Sequence, residues 1–229
     1  MSFTFHRIAV GICNCFLLRG DRTILIDGGA MGGFAAFQRK LSELKVDPQE
    51  IDLILLTHGH WDHITCLADI QKLTGAKIAV HKQDQFMVET GEPPFPDGVT
   101  PYGKMMAWSA KRILNPHLTP LKVDTVIPDT GMSLKEFGIP GEVVYTPGHS
   151  QGHVSILLET GDAIIGDMAM NDWYLRLTPG LPVLADDINK VVESWEKILP
   201  MGIKKVHPAH GRSFDVNIMQ KEIANFKSR

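Results

Sequence analysis

The chain has few cysteines, no excess of basic residues and no long apolar run, and each of these shortages excludes a class of protein. Three cysteines (Cys13, Cys15 and Cys66) in 229 residues are too few for a disulfide framework and are typical of a reduced compartment. The 23 Lys and Arg against 26 Asp and Glu leave a net charge of −3, which argues against a protein that mainly binds nucleic acid or an anionic membrane. No apolar run approaches the roughly 18 residues of a membrane-spanning helix.

The opening segment, MSFTFHRIAV, lacks the basic stretch and following apolar stretch that mark a secretory signal. We therefore expect a cytoplasmic protein with a small-molecule substrate and with no nucleic-acid or membrane partner. The length and the hydrophobic fraction of 44% fit one medium domain. Strand and helix patterns alternate through both halves with no linker between them, which predicts an α/β architecture in a single domain over residues 1–229. Within it, the pattern over 62–74 predicts one helix that ends at Gly75.

Residues 91–125 differ from the rest of the chain because six of the fourteen prolines lie there, among Phe95, Tyr102 and Trp108. This composition predicts an insertion that loops out of the domain and carries a short helix near 102–113. The insertion could cover a site as a lid, or it could form a contact between two copies in a homodimer.

The strongest functional signal is the segment Thr57-His58-Gly59-His60-Trp61-Asp62-His63, which directly follows the apolar run 51–56. Ligands of open α/β sheets gather beyond the carboxyl ends of strands. His58 and His60, two apart in an extended loop, can hold one metal ion. Asp62 and His63, at the start of a helix, can turn towards a second. Imidazole and carboxylate suit zinc, iron or manganese, and the absence of nearby thiolates argues against a closed structural zinc site.

Three further strand patterns end in His or Asp. They lead into Pro147-Gly148-His149, Gly166-Asp167 and Ala209-His210-Gly211. Four strand ends that deliver such residues to one edge are better explained as one site than as four unrelated side chains.

In order and spacing, these motifs resemble the metallo-β-lactamase-fold hydrolase superfamily from Asp27 to Gly211. The resemblance implies a four-layer αβ/βα sandwich, in which two mixed sheets lie between helices, with two divalent metal ions at one edge, most simply zinc, with iron or manganese as alternatives. It assigns His58, His60 and His149 to the first metal, Asp62, His63 and His210 to the second, and Asp167 to both.

The resemblance also implies a reaction in which a hydroxide bridging the two metals attacks the substrate and Asp62 orients it. Asp27 and His153 would lie behind the ligands and position them, although Asp27 could also belong to an ordinary turn and His153 to strand packing. Lactone hydrolases of this fold carry a Tyr three residues after the bridging Asp, where this chain has Met170.

We interpret the chain as a hydrolase of a small ester-type substrate: a lactone, a thioester or a related carbonyl compound. Two alternatives stay open, namely a phosphodiesterase and an iron-dependent oxidoreductase on the same ligands. Aromatic and methionine side chains commonly line pockets for apolar groups. The candidate substrate pocket comprises Met105, Met106, Trp108, Met170, Trp173, Tyr174 and Arg176. Arg176, or Lys111 with Arg112, could bind a substrate carboxylate, and the apolar members could instead belong to the core or to a dimer contact.

Overall fold

Two six-stranded sheets form the centre of the protein. The computed structural model describes residues 3–114 and 118–228. The first sheet contains, in spatial order, β1 (Thr4–Val10), β2 (Cys13–Arg19), β3 (Thr23–Ile26), β4 (Ile51–Leu55), β5 (Lys77–His81) and β6 (Thr125–Ile127). β1 pairs with β2 and β2 pairs with β3 in the antiparallel sense, whereas β3, β4, β5 and β6 run parallel to one another.

The second sheet is built mainly from the other half of the chain. Its strands are β7 (Met132–Ser133), β8 (Gly141–Tyr145), β9 (Val154–Leu158), β10 (Asp162–Ile164), β12 (Lys205–His207) and β14 (Phe214–Asp215). Their spatial order is β14-β12-β10-β9-β8-β7, and β10 pairs with β12 in the parallel sense. A separate two-stranded sheet pairs β11 (Met170–Asn171) with β13 (His210–Gly211) in the parallel sense.

Helices cover the outer face of each sheet. The described α-helices are α1 (Phe34–Leu44), α2 (Trp61–Ile64), α3 (Leu67–Thr74), α4 (Gln85–Thr90), α5 (Pro101–Ile113), α6 (Ile188–Ile198) and α7 (Asn217–Lys227). Phe37 of α1 and Ile70 of α3 pack on the first sheet, and Trp195 of α6 and Met219 of α7 pack on the second. The predicted four-layer sandwich is therefore confirmed.

The apolar run at 51–56 is explained by its place between two cores. Leu53 and Leu55 point into the core between the two sheets, whereas Ile54 and Leu56 pack in the core beneath α1 and α3. A strand covered on both faces needs apolar side chains at every position rather than at alternate ones.

The predicted helix over 62–74 is wrong as a single helix, because it is divided into α2 and α3. The backbone N–H of Cys66 bonds to the carbonyl of Gly29 at 3.3 Å, and the Cys66 thiol bonds to the carbonyl of Ala30 at 2.9 Å. These tertiary contacts take the place of the next helical hydrogen bond. They hold the break between α2 and α3 against the turn after β3. A periodicity pattern cannot show such a partner.

The predicted insertion follows α4 directly and contains α5, which begins one residue earlier than expected; residues 115–117 of it lie outside the described residues. Its backbone is held to a distant loop, since the N–H of Val99 bonds to the carbonyl of Val183 at 3.0 Å and Gly98 bridges to Leu184. Among the described helices, none has the length and apolarity needed to cross a bilayer.

Candidate metal centre

Seven polar side chains meet at one edge of the sheets in two neighbouring groups. The first group is His58, His60 and His149, and the second is Asp62, His63, Asp167 and His210. Within each group the candidate ligand atoms lie within 4.8 Å of one another. The histidines and Asp167 are buried, and the side chain of Asp62 is 15% exposed. The structure thus brings together all seven of the residues proposed as ligands.

The chain after β4 supplies both groups from one short segment. His58 and His60 lie in the loop that follows β4, and His60 keeps an extended backbone (φ −68°, ψ 154°) directly before α2 begins at Trp61. Asp62 and His63 lie in the first turn of α2. The change from extended to helical backbone at this point is what sends the two pairs of side chains to different groups.

Backbone carbonyls orient one histidine of each group. Nδ1 of His149 lies 2.9 Å from the carbonyl oxygen of Leu184, and Nδ1 of His210 lies 3.0 Å from that of Ile12. Because a carbonyl can only accept, each Nδ1 carries a hydrogen, and each Nε2 faces its group.

A buried carboxylate orients two more histidines. Nδ1 of His63 donates to Oδ2 of Asp27 at 3.0 Å. The Thr57 hydroxyl donates to the same carboxylate and accepts from Nδ1 of His58 at 3.1 Å. Asp27 itself adopts a left-handed backbone (φ 66°), which turns its side chain back towards the loop after β4. Such outer partners fix the tautomer of a metal-binding imidazole and raise its basicity.

Asp167 lies between the two groups. Its Oδ2 is 3.5 Å from Nε2 of His149 in the first group and 3.4 Å from Nε2 of His210 in the second, while its Oδ1 is 3.4 Å from Nε2 of His63. The preceding Gly166 has φ +48°, and a Cβ there would approach Nε2 of His153 to 2.5 Å. Only glycine therefore lets the turn after β10 place this carboxylate between the two groups.

The buried polar atoms of this centre fit cations. Nε2 of His58, Nε2 of His63 and Oδ1 of Asp167 are buried and make no hydrogen bond within the described residues. Nδ1 of His60 and Nε2 of His149 are only 2.9 Å apart. Buried polar atoms are normally paired, so several that converge without partners indicate a missing positive charge. Imidazole nitrogens and carboxylate oxygens suit zinc, iron and manganese alike.

The electrostatics differ between the two groups. Burial, together with the charge of His149, lowers the pKa of His60 to about 3, and burial also lowers the pKa of His58 and of His149, so the first group presents neutral imidazoles. Burial also opposes protonation of His210, yet Asp167 and Asp62 raise its pKa well above the usual value. Carboxylates therefore concentrate negative charge on the second group, where a cation would relieve it.

His153 lies behind the first group and outside both. Its ring centroid is 5.2 Å from that of His58, and its Nδ1 lies 3.2 Å from the Thr146 hydroxyl. Cys13 lies with its Sγ 3.8 Å from Nδ1 of His63. Neither placement could be read from spacing along the chain.

A cavity of about 200 Å³ opens onto both groups, and part of the predicted substrate pocket lines it. Met106, Met170 and Tyr174 are in its wall, together with Phe95 and Leu114 of the insertion. The insertion thus covers one side of the centre.

Four predicted pocket residues do not line this cavity. Met105 and Trp108 lie on the outer face of α5 and are 58% and 60% exposed, and Trp173 is 79% exposed. Arg176 donates a hydrogen bond to the carbonyl of Leu181 and forms an ion pair with Glu222 at 3.0 Å. The composition of a segment does not show which face of its helix turns inward.

The phenol of Tyr174 lies at the edge of the second group. Its oxygen is 3.2 Å from Nδ1 of His210, whose hydrogen is directed to the carbonyl of Ile12. Burial raises the pKa of Tyr174, and Asp172 and Asp167 raise it further, so the phenol stays protonated. Its hydrogen is therefore free to be donated into the cavity.

Sequence reasoning missed Asp84, which joins the two loops that supply the first group. Its buried carboxylate accepts from the N–H of Gly59 at 3.1 Å, from the hydroxyl of Ser150 at 2.7 Å and from the N–H of Gly152 at 2.8 Å. The signal was present, since Asp84 follows β5, the parallel neighbour of β4. The signal was hard to recognise because a helix separates the two strands along the sequence.

We expect Asp84→Asn to weaken metal binding about 10- to 100-fold and to destabilise the fold by about 1–3 kcal/mol. An amide can accept at one atom only, so one of the three donors would face an NH2 group. Metal affinity would be measured by competition with a chromophoric chelator, and stability by denaturant unfolding. Asp47→Asn, at an exposed turn far from the centre, is the control. Unchanged affinity in Asp84→Asn would show that Asp84 does not position the loops.

Comparison with known proteins agrees with this geometry. The family model described as the metallo-beta-lactamase superfamily matches residues 8–210. A probable metallo-hydrolase of Methanocaldococcus jannaschii is 28% identical over 207 residues, which cover 88% of this chain and 89% of that protein.

Solved structures share the fold. An archaeal metallo-beta-lactamase superfamily protein from Sulfolobus tokodaii superposes with a TM-score of 0.71 at 24% identity, over 98% of this chain and 86% of the other. The B3 metallo-beta-lactamase BLEG-1 superposes with a TM-score of 0.70 at 19% identity, over 93% of this chain and 95% of the other.

Proposed function

This chain belongs to the metallo-beta-lactamase superfamily and is a metal-dependent hydrolase of that family, and we propose that it cleaves a small ester-type substrate. A lactone, a thioester or a related carboxylic ester fits this proposal. We further propose that the two groups of ligands hold two divalent metal ions, most simply zinc, with Asp167 shared between them.

The observation that carries the proposal is the cavity in front of both groups. Its volume of about 200 Å³ suits a small substrate, and apolar side chains such as Phe95, Met106 and Met170 form most of its wall. The polar side chains that reach it belong largely to the centre itself, including Asp62 and His210. A mainly apolar wall with a few convergent polar groups is typical of a site for an apolar molecule with one reactive polar bond.

Divalent metal ions bound here would polarise the ester carbonyl and lower the pKa of a water molecule to near neutrality. The chain's own residues would complete the reaction. Burial raises the pKa of Asp62, but a hydrogen bond from His210 and the charge of His63 lower it overall, so Asp62 is ionised and can orient a water through its oxygens. The protonated phenol of Tyr174 can donate a hydrogen bond to a substrate oxygen. The apolar wall excludes other water from the carbonyl.

The test is a substrate panel with the protein purified without added metal and analysed for zinc, iron and manganese. We expect about two metal ions per chain and turnover of a lactone, a thioester or an aryl ester. Turnover of bis-p-nitrophenyl phosphate in preference to every carbonyl substrate would instead identify a phosphodiesterase. Bound iron with oxygen consumption and no ester cleavage would identify an oxidoreductase.

A further inference from the structure

A second depression adjoins the cavity of the metal centre. This groove has a volume of about 610 Å³, and Ile12 and Tyr174 line both the groove and the cavity. The same two residues contact Nδ1 of His210 through the carbonyl of Ile12 and the phenol of Tyr174. A molecule whose reactive bond lies at the metal centre could therefore continue past these residues into the groove.

The groove is basic, although the chain as a whole carries a net charge of −3. Three arginines line it, Arg7, Arg176 and Arg212, against one acidic residue, Asp172. Arg176 is neutralised by Glu222 at 3.0 Å. Within the described residues neither Arg7 nor Arg212 forms an ion pair, and the guanidinium of Arg7 makes only a 3.5 Å contact, with the carbonyl of Gly211.

The backbone beneath these arginines is fixed rather than loose. The side chain of Asn171 donates to the carbonyl of Arg212 at 2.8 Å, and the side chain of Asn14 donates to the carbonyl of Gly211 at 2.8 Å. The pairing of β11 with β13 joins Asn171 to Gly211 next to His210. The position of Arg212 relative to the metal centre is thus set by the same strand that carries a ligand.

We propose that the groove binds an anionic group of the substrate, a carboxylate or a phosphate, through Arg7 and Arg212. The proposal rests on the proposed ester hydrolysis and narrows it to substrates in which an anion-bearing tail is joined to the ester. Guanidinium groups bind both anions through paired hydrogen bonds. The exposed side chains of Trp173 and Leu177, which also line the groove, provide apolar contact for the connecting part of such a tail.

The test measures binding with compounds that cannot be cleaved. The S-methyl thioethers of N-acetylcysteamine (neutral), glutathione (carboxylate) and coenzyme A (phosphate) would be titrated into the metal-loaded protein by calorimetry. We expect at least one anionic thioether to bind about 10-fold or more tightly than the neutral one, and this preference to shrink as salt is raised. The anion that binds more tightly identifies the source of the charge.

Two double variants test whether the groove is the source of the preference for anionic thioethers. Arg7→Gln/Arg212→Gln should reduce it to near one, whereas the control Arg39→Gln/Lys72→Gln, which removes two charges from exposed positions on α1 and α3, should keep it. Equal binding of all three thioethers by the unaltered protein would overturn the proposal, and so would a preference that survives in Arg7→Gln/Arg212→Gln. If the double variant does not fold, Arg7→Gln and Arg212→Gln are tested singly, and each should lower the preference, because both side chains are exposed.

The two proposals fail in different ways. Cleavage of lactones, thioesters or aryl esters, without any binding preference for an anionic compound, would show that the groove does not bind the substrate. The proposal of ester hydrolysis would still stand. A clear preference for an anionic thioether, without cleavage of any ester, would support anion binding in the groove and reject the ester-type substrate.

Discussion

Replacing Asp167 with Ala should lower ester hydrolysis by about a thousandfold or more and should lower the metal content of the purified protein. Asp167 is the side chain that faces both groups, with oxygens 3.4 to 3.5 Å from the Nε2 atoms of His63, His149 and His210. Its removal leaves these buried nitrogens without a shared negative charge, so a second cation would be held only weakly. Turnover would be measured on the best ester of the panel, and metal content by elemental analysis.

The conservative change Asp167→Asn distinguishes the effect of the side chain's charge on turnover from the effect of its shape. It keeps the size of the side chain but removes the negative charge, so we expect its loss of turnover to approach that of Asp167→Ala. Asp69→Ala, at an exposed position on α3, is the matched control and should behave as the unaltered protein. Near-normal turnover in Asp167→Asn would contradict a charge-based role in joining the two groups.

Removal of the metal ions with a chelator should abolish turnover and lower the melting temperature by about 10 °C. A ligand present at a thousand times its dissociation constant stabilises the folded state by about 4 kcal/mol, because it does not bind the unfolded chain. Here the metal-free state would also bury atoms without partners, including Nε2 of His58 and Nε2 of His63. That burial adds to the loss of stability.

Thermal unfolding before and after chelation, and after zinc, iron or manganese is restored, measures this effect. The restored metal that returns both turnover and melting temperature is the functional one. Asp167→Ala should show a smaller shift on chelation, because it holds less metal at the start. A chelated protein that keeps its full melting temperature would show that the seven side chains do not hold metal in the folded state.

The meeting of the seven side chains of the two groups could be predicted from the sequence because each of them follows an apolar run at a short distance. His58, His60, Asp62 and His63 come within a few residues of β4, and His149, Asp167 and His210 follow later strands in the same manner. Parallel strand ends collect at one edge of a sheet. Local spacing therefore contained most of the information about which residues meet, and the motif order identified the fold.

The residues that orient the ligands were harder to predict, since they act across long stretches of chain. The carbonyls of Leu184 and Ile12 fix His149 and His210, but any residue has a carbonyl, so no side-chain type marks these positions. Asp84 is one carboxylate among many until the fold places it between two loops. These partners follow from packing of the sheets and not from any local pattern.

The walls of the cavity also depended on tertiary structure. The sequence by itself determined an α/β architecture with histidines and aspartates gathered at one edge, because apolar periodicity and strand-end motifs are local properties, and the four-layer sandwich was implied by the resemblance of those motifs to a known family. It could not show that α5 turns Met106 inward and Met105 and Trp108 outward, nor that Arg7 at the start of the chain and Arg212 near its end line one groove. Which face of an element is covered, and which distant residues become neighbours, is decided only when the two sheets pack together.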